Sequence, residues 1–141
     1  LDRCGREGRA MEQNEKTRAL LAAFGCALAY LLAGKALTAV LPQVPEEAAR
    51  MWAFVHRCAA APIVEELVFR GIIQQLARPL GERQAVALQA VLFAVQHRGP
   101  AGMAYALVCG LVLGTLRSRT GSVWPGMLLH TLNNLLVFAA G

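Results

Sequence analysis

The chain has 141 residues, of which 56% are hydrophobic, 16% charged and 6% aromatic, with a formal net charge of +5. Its mean hydropathy is +0.44, whereas soluble domains carry about a quarter charged residues, so an ordinary soluble enzyme and a disordered tail are excluded. The basic residues do not gather with aromatics, which removes nucleic acid as a partner. Four separated cysteines, Cys4, Cys26, Cys58 and Cys109, form no C-x-x-C pair and have no histidines at zinc-finger spacing, so a disulfide scaffold and a zinc finger are also poor fits. What remains is an all-α fold, a polytopic membrane bundle of about five apolar helices.

Residues 1–18 mix both signs of charge and show no apolar face, which predicts a solvated, mobile N-terminal segment. The start at Leu1 is compatible with an upstream extension or with a natural start at Met11. Residues 19–41 are apolar except for Lys35. At about 1.5 Å per residue they form a first helix long enough for a hydrocarbon core of roughly 30 Å. No small-residue cleavage site precedes Pro42, so a transmembrane helix is preferred over a removable signal. Pro42 and Pro45, followed by Glu46 and Glu47, end it.

A second helix is expected over residues 48–77, with Pro62 as its kink. Arg78, Pro79, Gly81 and Arg83 turn the chain into a third helix over 84–97, which Arg98, Gly99 and Pro100 end. A fourth covers 101–116, a basic turn (RSRTG) follows, and a fifth covers 123–140. Residues 48–140 thus make a core behind the leading helix. The third and fourth helices are short for full spans, which predicts tilt, re-entry or shielding by neighbours. Lys16 and Arg18, Arg78 and Arg83, and Arg117 and Arg119 fall at alternate connections, the pattern of a cytoplasmic N-terminus under the positive-inside rule. Glu46, Glu47, Arg50 and Arg98 fall on the other side. In the fourth helix Ala106, Gly110 and Gly114 make a small-residue stripe, read as helix packing without chemistry.

Against this apolar background the polar residues stand out. A charge at the centre of a spanning helix costs about 2.5–3.5 kcal/mol on insertion scales, so each needs a partner, a wet cavity or a task. The second helix holds Glu65, Glu66 and Arg70 in APIVEELVFRG. Glu66 and Arg70, four apart, share a face and suit an ion pair, which leaves Glu65 free. Adjacent acids in apolar surroundings suit a general base; a buried pair that only fixes helix packing is the competing reading. FAVQH ends the third helix with Phe93 and His97 on one face, and HTLNN in the fifth puts His130 one turn from Asn134. Taken singly, these read as an interfacial histidine and a helix-packing pair. Together the three segments supply a base, a proton carrier and oxyanion donors, the inventory of hydrolysis. No serine or cysteine stands beside a base as a covalent nucleophile, and Cys58 reads as an inert buried thiol. His56 lies nine residues before Glu65, half a revolution away on an ideal helix, and is set aside as interfacial.

EELVFR from Glu65 to Arg70, FAVQH from Phe93 to His97 and HTLNN from His130 to Asn134 match, in order, the patterns EExxxR, FxxxH and HxxxN. On successive apolar helices they resemble the CPBP (Abi) family of intramembrane proteases, which includes the type II CAAX prenyl endopeptidases and enzymes linked to bacteriocin processing. The resemblance implies a multi-pass endopeptidase, expected in a bacterial cytoplasmic membrane. In it Glu65, helped by His97, activates a water, His130 and Asn134 stabilise the oxyanion, and Arg70 holds the paired acids. It implies a peptide or protein substrate, lipidated in the CAAX case, with the lipid bilayer as surroundings. This chain is shorter than the common family members, with one helix before the first motif. No cofactor is expected: H-E-x-x-H is absent and Asn134 beside His130 suits an oxyanion donor set. Zinc held by His97, His130 and Glu65 is the alternative mechanism. A non-catalytic immunity or peptide-binding protein of the same fold is the competing function. A proton-relaying transporter ranks last, because the halves of the chain show no internal repeat.

Overall fold

The computed structural model describes residues 2–41 and 45–140. Pro42, where the first helix was expected to end, lies outside the described residues, as do the side chains of Cys4 and Glu47. One unbroken helix, α1 (Asp2–Val40), takes in both the charged lead-in and the apolar run. The lead-in is therefore helical, where a mobile segment was expected. Its Arg, Glu, Gln, Ala and Lys residues are good helix formers, and Lys16 pairs with Glu12 one turn back at 2.6 Å.

The second rod, α2, is a composite. It starts as Glu46–Val55, widens into a π-helical turn at His56–Ala60, and narrows again at Ala61–Glu65. It widens once more over Glu66–Ile73 and closes with Gln74–Leu76. Pro62 has no N–H, and its ring crowds the carbonyl four residues back. In the turn just before it, the Ala61 N–H reaches the carbonyl of His56, five residues back. A single 3₁₀ turn, Arg78–Leu80, and Gly81 at φ 109°, a conformation that only glycine adopts without strain, then reverse the chain.

Three helices complete the chain: α3 (Glu82–Ala94), α4 (Gly99–Thr120) and α5 (Trp124–Ala140). Two boundaries differ from expectation. α3 stops at Ala94, three residues before His97, and leaves through tightened bonds from Gln96 to Phe93 and from His97 to Ala94. α4 has 22 residues, because the basic RSRT stretch belongs to its last turn and because Gly99 and Pro100, expected to end the preceding helix, open it. Cations there complement the helix dipole, and Gly121 caps the end at φ 70° with its N–H on Arg117.

The small-residue stripe of α4 is where α3 meets it. A methyl group at Gly110 would stand 2.9 Å from the Cα of Ala90, so the two backbones touch. Gln89, fully buried, donates to the carbonyl of Gly110 at 2.7 Å, and Gln74 donates to the carbonyl of Gly114 at 3.0 Å. Ala23 and Ala27 of α1, Phe69 and Ile73 of α2, Leu92 and Phe93 of α3 and Ala106 of α4 form the apolar core. Tyr30 closes it with an edge-on contact to Phe69 at 5.5 Å.

The outside is also apolar. Leu21, Leu32, Ile63, Val108, Leu128 and Leu136 are among the large hydrophobic side chains left exposed on four of the five rods. Helices α1 and α4 are long and apolar enough to cross a membrane, with only 11% and 22% of their apolar windows buried within the protein. Every described residue in a regular element is helical, and no strand occurs among them. At one end, Gln74 donates to Ser118, Ser118 donates to Glu82, and Arg78 pairs with Glu82 at 3.6 Å. Arg18 shares a cleft with Leu76 and Pro79 at that same end.

Candidate active site

α2 carries the acids and α5 comes to meet them. Glu66 is fully buried; its Oε1 lies 3.2 Å from a terminal nitrogen of Arg70 and 2.9 Å from Nδ1 of His130. The Arg70 guanidinium, also buried, lies 4.4 Å above the Phe93 ring, so charge and π face share one desolvated spot. Gly126 admits this approach: a Cβ there would sit 2.7 Å from Glu66 Oε2. Glu65 points elsewhere, with its side chain 20% exposed and its Oε2 3.6 Å from Nε2 of His130. His130 therefore stands between two neighbouring carboxylates, one buried and one facing open space.

His97 reaches the site from the turn after α3. Its ring packs 4.7 Å from Phe93, and Nδ1 lies 3.0 Å from the Phe93 carbonyl. A carbonyl oxygen only accepts, so Nδ1 carries the hydrogen and Nε2 of the neutral ring is a free base.

Asn134 is placed by the irregularity in α2. With the Ala61 N–H on His56, the next carbonyl along, that of Arg57, would look five residues ahead to Pro62, which has no N–H to offer. Asn134 Nδ2 donates to that Arg57 carbonyl at 2.8 Å. The Cys58 thiol, buried, donates to the backbone carbonyl of Asn134 at 3.8 Å.

Glu65, His97, His130 and Asn134 line one cavity of about 700 Å³, while Glu66 and Arg70 are buried behind it. Arg50, His56 and Arg57 line the same cavity. Setting His56 aside was an error of phase. A π turn inserts one extra residue, worth about 100° of rotation, so the offset from Glu65 drops from about 180° to about 80°. The arginines had a legible signal: Arg50, Arg57, Ala61 and Glu65 recur at steps of seven, four and four, one face of a helix. Among the described residues no group of three His, Cys, Asp or Glu side chains is arranged to hold a metal ion.

Two acids, two imidazoles and an amide thus gather at one cavity in a helical chain with an apolar exterior, a set of groups that suits acid–base chemistry. The family model for Rce1-like type II CAAX prenyl endopeptidases matches residues 47–136, more than half of the chain, and the protein belongs to this family. That span contains all three motifs. No curated protein and no solved structure matches the chain.

Proposed function

We propose that the protein is a multi-pass intramembrane endopeptidase that hydrolyses a peptide bond of a membrane-associated or lipidated substrate without a metal. The observation that carries this reading is the shared cavity: Glu65, His97, His130 and Asn134 face one space, with the Glu66–Arg70 pair buried behind them. Family membership supports protease chemistry, and exposed leucines and valines on the long helices support a lipid setting. An apolar groove of about 310 Å³ lined by α4 and α5 reaches His130, which suits a substrate arriving from the side.

In the proposed reaction Glu65 and Nε2 of His97 draw a proton from water as its oxygen attacks the scissile carbonyl. Because Glu66 engages Nδ1 of His130, the ring donates to the oxyanion through Nε2 only when that nitrogen also carries a proton; Glu65 lies 3.6 Å from it. The second N–H of Asn134 supplies the other donor, since its first is held by Arg57. The proton taken from water then passes to the leaving amine, and the C–N bond breaks.

The test is peptide hydrolysis by the detergent-purified protein on a mixed peptide library. Glu65→Ala and His130→Ala should each lose about 10²-fold or more; unaltered cleavage in both would end the assignment. A chelator series should leave the parent rate unchanged. Loss of activity with recovery on added zinc would reverse the metal-free mechanism.

A further inference from the structure

Two polar side chains outside the proposed chemistry touch it from behind. Asn133 lines the apolar groove between α4 and α5, Asn134 lines the cavity, and His130, one turn before Asn134, lines both. Neighbouring residues of a helix point about 100° apart, so local geometry does not bring their side chains together. Here they meet: Asn133 Nδ2 donates to Asn134 Oδ1 at 3.3 Å. Tyr105, half exposed on α4, donates its hydroxyl hydrogen to Asn133 Oδ1 at 2.5 Å.

The direction of these bonds is fixed from one end. The Arg57 carbonyl can only accept, so Asn134 turns Nδ2 to it and Oδ1 away. An amide oxygen also only accepts, so Asn133 must present Nδ2 to Asn134, which leaves its own oxygen for the hydroxyl of Tyr105. The hydroxyl, the two carboxamides and the Arg57 carbonyl thus form a relay in which every hydrogen points toward α2. Bonds in series polarise one another, and an amide whose oxygen accepts becomes a stronger donor at nitrogen. The relay occupies one N–H of Asn134 and strengthens the other, the one that faces the oxyanion in the proposed reaction.

Resting on the hydrolytic reading of the cavity, we propose that Asn133 and Tyr105 are positioning residues that hold the Asn134 carboxamide with its second N–H ready for the oxyanion. Neither touches the reacting atoms. Their effect is realised only as negative charge develops on the scissile oxygen, so it falls on kcat and spares KM. A hydrogen bond that merely ties α4 to α5 would instead show in stability.

The chain holds three asparagines, Asn14, Asn133 and Asn134, so the full chain labelled with nitrogen-15 at asparagine alone gives three side-chain amide pairs by NMR in detergent. Tyr105→Phe keeps the ring and removes the hydroxyl; it should move the Asn133 and Asn134 pairs and leave Asn14 in place. Kinetics use the peptide of a mixed library that the parent cleaves fastest. Tyr105→Phe should lower kcat about threefold and Asn133→Leu about tenfold, with KM and thermal unfolding unchanged. Asn133→Gln should recover part of the loss. Added to Asn134→Ala, neither substitution should lower kcat further. An Asn134 pair indifferent to Tyr105→Phe, a kcat that neither substitution lowers, a loss confined to KM, or the same loss without Asn134 overturns the proposal. Moved signals in a parent that cleaves nothing would leave the relay standing and remove the protease, whereas cleavage with unmoved signals would remove the relay alone.

Discussion

Glu65 and Glu66 are neighbours in the chain and opposites in circumstance. Glu66 has no contact with solvent and serves Arg70 and His130 at once; Glu65 meets the cavity. Glutamine at the two positions should therefore separate stability from activity. Glu66→Gln leaves the buried Arg70 charge uncompensated, a change that costs about 3–5 kcal/mol, and should lower the thermal unfolding midpoint in detergent. Glu65→Gln should leave that midpoint in place while hydrolysis falls by about 10²–10⁴-fold. A midpoint shift in the second variant matching that in the first would show both acids to be structural. The pairing of Glu66 with Arg70 was legible because four residues make one helical turn. The bond from Glu66 to His130 was not, since 64 residues separate them and no local periodicity encodes which faces of α2 and α5 meet.

At the scale of elements, Pro62 governs how α2 presents its side chains. Pro62→Ala restores an N–H, lets the ladder close to regular α-helix and offers the Arg57 carbonyl a backbone partner in place of Asn134. Regularising the turn rotates His56 away from Glu65 by about 100°. Peptide hydrolysis should fall several-fold with helix content by circular dichroism unchanged; full activity would show that the π turn does not position the site. The proline itself was readable as a breaker, but whether it would kink the rod or widen it depended on what packs against it. The stripe on α4 makes a second prediction. Gly110→Ala drives a methyl group into the Ala90 backbone and should cost about 1–3 kcal/mol by thermal unfolding. Gly102→Ala, on the same helix with open space around it, should be neutral or better.

For the molecule as a whole, the apolar exterior and the basic end belong together. Arg78 and Arg117 lie near the ends of α2 and α4, which the contacts among Arg78, Glu82, Gln74 and Ser118 bring together, and Arg18, near the middle of α1, shares a cleft with Leu76 and Pro79 there. If the bundle spans a bilayer with this end inside, single cysteines at Arg78 and Arg119, in a chain whose own cysteines are replaced by alanine, should label from one face of sealed vesicles. A cysteine at Arg98 should label from the other. Labelling of all three from one face would sink the multi-pass reading, as would release of the protein from membranes by alkaline carbonate.

Composition and hydropathy settled that the chain is helical, because only long apolar runs were available to fold, and the positions of its acids, imidazoles and amide marked three segments as unusual. Local spacing sufficed for whatever lies within one helical turn. The tertiary structure alone decided that these segments share a cavity, that His130 lies between two carboxylates, and that His56 and two arginines join them. Those outcomes depend on rotational phase and on which helix faces pack together. One extra residue in a turn shifts the phase by about 100°, and a hydrophobicity pattern is too coarse to register it.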